Sequence, residues 1–192
     1  MKTILRSSSG LYRKLLGDSW SSLDGAIRRL HGSAVAVRAL GVFQVRRGSN
    51  RLARMLARLA RLPAPGEAVD VRLLVTAREH GEDWRRMFAG YPLLTRQSTR
   101  SDGLLVERFG IVEMRFCLRV VGGALLYHSI SAALCIGSWR VRLPRRLSPR
   151  IVARERAVGE PDQIYVSVEV DFAGLGLLIA YEGNLTGIEV ME

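Results

Sequence analysis

The sequence predicts an α+β fold, with N-terminal helices packed on a large curved antiparallel β-sheet or partly open barrel of about nine or ten strands. Two observations predict it. Apolar residues recur at helical spacing up to Pro65, and they alternate with polar residues from Val71 onward. Turn residues then separate the alternating segments at intervals of about 8 to 12 residues, which is typical of antiparallel barrels and sandwiches.

A single domain is expected over residues 1–192, because a chain of 192 residues, 48% of them hydrophobic, can bury a substantial core. Residues 1–66 form a basic, mainly helical N-terminal part with 13 Lys and Arg against 2 Asp and Glu. Residues 67–192 form the antiparallel β part, which has 16 of each. The whole net charge of +11 therefore lies in the first third of the chain.

Two short helices are predicted between Gly10 and His31, and both are expected to lie on the sheet. Their apolar sides are formed by Leu11, Leu15, Leu16, Leu23, Ile27 and Leu30. The next segment, residues 33–48, is rich in β-branched residues, and we interpret it as one or two short strands.

The clearest helix runs from Arg51 to Leu62, after Asn50, which is a good N-cap. One of its sides is a stripe of leucine and methionine, and another is formed by Arg51, Arg54, Arg58 and Arg61. The favoured interpretation is an ordinary packed helix with a solvated arginine face. The less favoured alternative is a surface that contacts a partner through phosphate, either lipid headgroups at a membrane or nucleic acid.

Three strand-like segments between Trp84 and Leu118 form the centre of the predicted sheet, and the last of them alternates strictly. The stretch Val120–Trp139 has no charged residue, but Gly122 and Gly123 interrupt it, so two strands are favoured over a membrane helix. The apolar run after Met1 is too short for a secretory signal, and a cytoplasmic location is expected.

The sequence shows no metal or cofactor motif. Three histidines, His31, His80 and His128, share no ligand spacing, and the two cysteines have neither metal spacing nor the density of a disulfide scaffold. No glycine-rich dinucleotide fingerprint follows a predicted strand. We therefore expect no metal and no cofactor of the chain's own, and the balance inclines against an enzyme.

Two carboxylates are the candidates for catalysis, provided that the fold brings them together. Glu107 and Glu155 both interrupt predicted strands beside arginines. The favoured alternative is that they form ion pairs across strands, each contributing up to about 1 kcal/mol.

Aromatic residues and arginines predict a binding site on the concave side of the sheet. Trp84, Arg86 and Phe88 share one side of their strand by period two. If the sheet curls, the same wall would also contain Tyr127, Trp139, Arg150 and Tyr181. An aromatic wall with arginines suits an apolar ligand that carries an acidic head. The alternative is that these side chains fill the core around the arginine helix, because small barrels rarely leave spare room.

Several short motifs, taken in order, resemble a known family. They are Leu11-Tyr12, Leu15-Leu16-Gly17, Leu30-His31, Gly41-Val42-Phe43, Arg46-Arg47-Gly48, Trp84 with Phe88 and Gly90, residues 103–110 (GLLVERFG), Leu143-Pro144 with Leu147 and Pro149-Arg150, Glu155, and Tyr181 with Gly183. This succession resembles the bacterial domain of unknown function 4166 family over nearly the whole chain. The resemblance implies occurrence alone or fused behind NAD(P)-binding domains similar to saccharopine dehydrogenase or short-chain reductases, with no assigned catalytic residues.

These observations favour a non-catalytic module that binds an apolar or lipid-like small molecule. One alternative is an accessory or partner domain of an NAD(P)-dependent oxidoreductase, which follows from the resemblance alone. The other is an enzyme that uses buried carboxylates.

Overall fold

The computed structural model describes residues 10–191. In this range the helices are α1 Leu11–Leu16, α2 Gly25–His31 and α3 Arg51–Leu59, with 3-10 turns over Gly17–Ser22 and Arg145–Leu147. The strands are β1 Ala36–Arg47, β2 Gly66–Arg78, β3 Gly81–Phe88, β4 Tyr91–Thr99, β5 Leu105–Phe109, β6 Val112–Val121, β7 Ala124–Ile136, β8 Trp139–Arg142, β9 Arg150–Ala157, β10 Ile164–Phe172 and β11 Gly176–Met191.

Ten of these strands form a closed antiparallel barrel. Successive strands pair from β1 to β7, and the ring continues through β9, β10 and β11. It closes because β11 also pairs with β1, where Val45 lies opposite Tyr181. β8 pairs with β7 outside this ring. The predicted fold class is confirmed, and the structure adds that the sheet closes completely.

The closing strand β1 comes from the basic N-terminal part of the sequence. Residues 36–47 form one long strand, where the sequence predicted one or two short ones. Its alternate residues Val37, Ala39, Phe43 and Val45 are buried in the barrel core, as period two requires. The boundary near residue 66 is therefore a change in composition and not a division between a helical layer and a sheet.

The two N-terminal helices plug one end of the barrel. Helix α1 contacts β4 and β6, while α2 contacts β9 and β11, so together they reach strands on opposite sides of the ring. Tyr12, Ile27 and Leu30 are at most 1% exposed. The Asp24 backbone N–H donates to the Gly123 carbonyl (3.0 Å), and a Cβ at Gly123 would collide with the Asp24 carboxylate. We call this the plugged end; its connecting segments are 10–35, 79–80, 100–104, 122–123 and 158–163.

Helix α3 lies at the opposite end, which we call the α3 end. Asn50 caps the helix as predicted, because its side chain accepts a hydrogen bond from the Leu52 backbone N–H (2.9 Å). The helix packs on β11 through Ala53 and Ala57, which contact Leu178. The connecting segments of the α3 end are 48–65, 89–90, 110–111, 137–149 and 173–175.

Candidate ligand-binding cavity

A cavity of about 400 Å³ lies inside the barrel. Inward side chains from all ten strands of the barrel line it, and most of them are aliphatic or aromatic. An eight-stranded barrel has an interior that side chains can fill, and the diameter grows with strand number, so ten strands leave room. The polar members of the lining are Trp84, Arg86, Thr95, Gln97, Glu107, Tyr127, Glu155 and Tyr181.

Arg86 places a positive charge in the cavity wall. Its guanidinium stacks on Trp84, with Cζ 4.6 Å from the ring centre, and its side chain is 16% exposed. Nη1 donates to Thr95 Oγ1 (3.0 Å) and lies 3.5 Å from Glu107 Oε1. Burial lowers the pKa of Arg86, but Glu107 and the neighbouring tyrosines Tyr181, Tyr12 and Tyr127 together outweigh it, so the net pKa is raised. The guanidinium therefore stays charged and still has donors for a ligand.

A second polar group lies toward the plugged end, centred on Glu155. The Oε2 atom of Glu155 lies 2.6 Å from His31 Nε2, and Oε1 accepts a hydrogen bond from the Tyr127 hydroxyl at 3.0 Å. His31 Nδ1 is buried without a hydrogen-bond partner among residues 10–191. Both oxygens of the carboxylate are thus held by neighbours, which fixes its orientation against the cavity.

Two tyrosines extend this group. Tyr127 Oη lies 3.3 Å from Tyr12 Oη, and the Tyr12 hydroxyl donates to Gln97 Oε1 (2.7 Å). Burial raises the pKa of Tyr127 well above its ordinary value, and the Glu155 charge raises it further. Burial likewise raises the pKa of Tyr12. Both hydroxyls stay protonated and serve as donors. We call Tyr12, His31, Gln97, Tyr127 and Glu155 the polar floor.

Trp84 joins the polar floor to the arginine. Its ring centre lies 5.5 Å from that of His31, and Arg86 covers its face. The indole N–H donates to Glu82 Oε2 (3.0 Å). Burial raises the pKa of Glu82 above its ordinary value, against the opposing effect of His31.

Most of the predicted ligand-binding residues line the cavity. These are Trp84, Arg86, Phe88, Tyr127 and Tyr181, and their role in binding a ligand stays a prediction. The candidate carboxylates Glu107 and Glu155 also line it, each with its own cationic or imidazole partner.

Two of the predicted wall residues lie elsewhere. Trp139 is 77% exposed on β8, because that strand lies outside the closed ring and its side chain extends past the rim. Arg150 is exposed at the first position of β9 and is absent from the lining. The prediction that they share the wall of the cavity is wrong, since it assumed that every late strand curls into one surface.

The sequence did not identify Tyr12, His31, Glu82 or Gln97 as site residues. Tyr12 and His31 belong to the plug, and helical periodicity shows only that they flank apolar positions. Glu82 and Gln97 lie opposite each other on β3 and β4, each with a buried side chain. A signal was available, since polar residues at inward positions of a strand need partners when they are buried.

The arginines of α3 are exposed, and none of Arg51, Arg54, Arg58 and Arg61 forms an ion pair within residues 10–191. The expected packing of the helix is only partly correct. Leu56 is half-buried and lines the cavity, whereas Leu52, Met55 and Leu59 are 55%, 49% and 72% exposed. The small residues Ala53 and Ala57 form the buried side because they let the helix approach β11 closely.

No group of His, Cys, Asp and Glu side chains with the arrangement of a metal site occurs in residues 10–191. In the same range, no helix combines the length and the apolar character that a membrane span requires.

Comparison with known proteins gives one match. A family model described as a domain of unknown function (DUF4166) matches residues 23–185. This range includes α2, α3 and the barrel as far as the middle of β11. No curated protein and no solved structure matches the chain.

Proposed function

We propose that this chain, which belongs to the DUF4166 family of domains of unknown function, binds one apolar small molecule with an acidic head inside its barrel. The observation that carries the proposal is the cavity of about 400 Å³, walled mainly by apolar side chains and lined by the half-buried arginine Arg86. Ligand cavities are usually of about 300 to 1,000 Å³, mostly apolar, with a few placed polar groups.

Arg86 defines the position of the acidic head. Its contact with Glu107 is long, at 3.5 Å, so a ligand carboxylate can approach the remaining N–H groups. A hydrogen bond between charged groups contributes about 1.5 to 3 kcal/mol, more than one between neutral groups. The head would then lie beside Trp84 and Thr95.

The apolar tail would extend toward the α3 end. Residues that line the cavity there are apolar: Leu56, Leu62, Phe109, Val112, Leu134, Leu143 and Phe172. Each methylene removed from water contributes about 0.8 kcal/mol. A medium-length chain with a single acidic head therefore matches both the polarity and the direction of the cavity.

Calorimetric titration of delipidated protein with dodecanoate and with dodecanol tests the proposal. The expected result is saturable binding of one molecule, with dodecanoate bound at least about tenfold more tightly, given the contribution of a charged hydrogen bond. Absence of saturable binding for both compounds would reject the proposal. Equal affinities for dodecanoate and dodecanol would show that the ligand does not need an acidic head.

A second function, proton transfer to or from the bound molecule, is favoured by the orientation of Glu155. Its carboxylate lines the cavity while His31 and Tyr127 hold its two oxygens, an arrangement that suits a positioned general base. Exchange of the α-protons of a ketone probe in deuterated buffer, followed by NMR, should be faster with wild-type protein than with Glu155→Gln. Equal rates would reject this function.

The accessory role beside an NAD(P)-dependent oxidoreductase stays a prediction. A pulldown from the native cell extract that recovers no oxidoreductase would speak against it.

A further inference from the structure

The two ends of the barrel differ in charge. The connecting segments of the α3 end contain no Asp or Glu, and their basic residues are Arg51, Arg54, Arg58, Arg61, Arg140, Arg142, Arg145 and Arg146. The connecting segments of the plugged end mix both signs, with the acids Asp18, Asp24, Glu79, Asp102, Glu160 and Asp162. The positive potential of the chain is thus concentrated on one end.

The same end exposes apolar side chains from α3. Leu52, Met55 and Leu59 face solvent, although an amphipathic helix of a globular protein normally buries its large apolar residues. The arginines form a stripe directly next to these side chains on the exposed surface of the helix. This helix therefore presents a mixed surface of long aliphatic and cationic groups.

A second apolar surface at this end comes from the β7–β8 hairpin. Ile136 lies opposite Trp139, and Leu134 lies opposite Val141, so these four side chains share one face. Leu134 lines the cavity, while Ile136, Trp139 and Val141 are 61%, 77% and 57% exposed. The inner wall of the barrel thus continues past its rim as an exposed apolar flap.

Arginines also occur on the reverse face of the flap, at Arg142, and in the turn that follows it, at Arg145 and Arg146. Arg142, Arg145 and Arg146 are exposed, and none of the three forms an ion pair within the described part of the chain. Arg140 is already bonded to Glu113. Leu147, which follows Arg145 and Arg146 in the 3-10 turn before β9, is also exposed. Arginines that form no ion pair within residues 10–191 therefore occur together with exposed apolar side chains on α3 and again in the β7–β8 hairpin and the turn after it.

We propose that the α3 end docks on the surface of an anionic lipid bilayer. Arginines near such a surface are attracted to the headgroup phosphates, and aliphatic side chains on the same face enter the boundary of the acyl region. Indole rings prefer this boundary, which accounts for an exposed tryptophan at the rim. The complementarity is both electrostatic and apolar, and it is confined to one end of the molecule.

Nucleic acid fits this surface less well. Single-stranded nucleic acid is held by aromatic side chains that stack on the bases within a basic groove, and the α3 end offers mainly aliphatic groups. Phosphate contacts alone would leave the exposed leucines and methionine in contact with water. Docking would also turn the apolar wall of the cavity toward the acyl chains, so that an apolar ligand could pass from the bilayer into the barrel. This entry of a ligand, unlike the docking itself, rests on the proposed function.

Vesicle flotation tests the docking with the complete chain, using vesicles of phosphatidylcholine alone and of phosphatidylcholine with phosphatidylglycerol. We expect binding to the anionic vesicles only. Arg54→Gln with Arg58→Gln should lower partitioning by at least about tenfold, since each arginine near an anionic surface is worth roughly a fivefold change. Because the chain has a net charge of +11, the matched control is Arg13→Gln with Arg119→Gln, which removes the same charge elsewhere and should change partitioning little.

The apolar contribution has its own pair of variants. Leu59→Ser at the α3 end should weaken vesicle binding, whereas Leu40→Ser, which is 59% exposed on β1, should not. Lipids brominated along the acyl chain should quench Trp139 fluorescence and leave the buried Trp20 and Trp84 unaffected. Equal effects of the test and control variants, or an absence of binding to anionic vesicles, would overturn the proposal.

Binding of single-stranded nucleic acid through the same arginines, without vesicle binding, would also overturn it. Failure of docking while dodecanoate still binds in the calorimeter would leave the ligand proposal intact. Docking without dodecanoate binding would reject the ligand proposal and leave the proposal of membrane docking intact.

Discussion

His31 Nε2 lies 2.6 Å from Oε2 of Glu155, which joins the last residue of α2 to β9 across 124 positions of sequence. Both side chains are buried, at 1% and 6% exposure. The contact fastens the plug to the barrel wall. It also places a carboxylate at the inner end of the cavity with its orientation fixed.

Replacing Glu155 by glutamine should lower the free energy of unfolding by about 1 to 3 kcal/mol. The carboxylate accepts from both His31 and Tyr127, whereas an amide has one oxygen and would turn its NH2 group toward one of these donors. Urea denaturation measures the change. Glu169→Gln, at an exposed position of β10, is the matched control and should have little effect. A Glu155→Gln variant as stable as the wild type would show that the contact does not hold the plug.

Glu82 should make the fold less stable as the pH rises. Burial raises the pKa of Glu82 above its ordinary value of 4.5, so at intermediate pH the folded protein binds more protons than the unfolded chain. The contribution of Glu82 to the free energy of unfolding is fully present below about pH 4.5 and is lost as the pH rises through the pKa of Glu82 in the folded protein. Glu82→Gln still accepts from Trp84, so it should gain stability relative to wild type between pH 4.5 and neutrality. Thermal unfolding of Glu82→Gln and wild type across this pH range measures the gain, with the exposed Glu79→Gln as control. If stability changed with pH in the same way for Glu82→Gln and wild type, the prediction would be wrong.

Glu113 should show the opposite pH dependence. Burial raises the pKa of Glu113, but the hydrogen bond from Arg140 and the charges of Arg100, Arg140 and Arg115 together outweigh it, so the pKa lies below 4.5. The stabilisation is therefore present above about pH 4.5 and is lost as the pH falls through the folded pKa. Glu113→Gln should cost about 1 to 3 kcal/mol at pH 7, with the difference narrowing in acid. Chemical denaturation at several pH values measures this, and a constant difference would refute it.

Arg86→Met should weaken dodecanoate binding by about 10- to 100-fold, since it removes a charged hydrogen bond. Binding of dodecanol should change much less. Arg85→Met changes the neighbouring arginine, which points outward and is exposed, and should leave both affinities as in wild type. Calorimetry at low ionic strength gives the comparison. If both compounds lost affinity equally, Arg86 would be supporting the shape of the wall and not the acidic head.

Ala153→Leu should fill part of the cavity and reduce ligand affinity by at least about tenfold, without loss of stability, because buried space is exchanged for side chain. Ala153 lines the cavity opposite Val168. Val152→Leu adds volume on the outward side of the same strand and serves as control. Unchanged dodecanoate affinity in a folded Ala153→Leu protein would place the ligand outside the barrel.

The order of helices and strands could be predicted because period two and turn residues are local. Closure of the barrel could not, because it depends on β1 pairing with β11, where Val37 lies opposite Val190. Alternation shows which side of a strand faces the core and says nothing about which distant strand is its neighbour.

The wall of the cavity was partly predictable for the same reason. Trp84, Arg86 and Phe88 share one side of a strand, and that side faces inward. His31 joins them only through the folded plug. Trp139 does not join them, because β8 leaves the ring.

The surface of α3 shows the limit of helical periodicity. The pattern identifies a leucine stripe and an arginine stripe, but the barrel selects the alanine side, where Ala53 and Ala57 are fully buried. Tertiary packing thus leaves Leu52 and Leu59 exposed, which no local pattern indicates.

A crystal structure with ω-brominated dodecanoate tests the central claim most directly. We predict an anomalous bromine peak inside the barrel toward the α3 end, near Leu134 and Leu143, with the carboxylate within hydrogen-bonding distance of Arg86. A bromine peak outside the barrel, or a carboxylate distant from Arg86, would contradict the account.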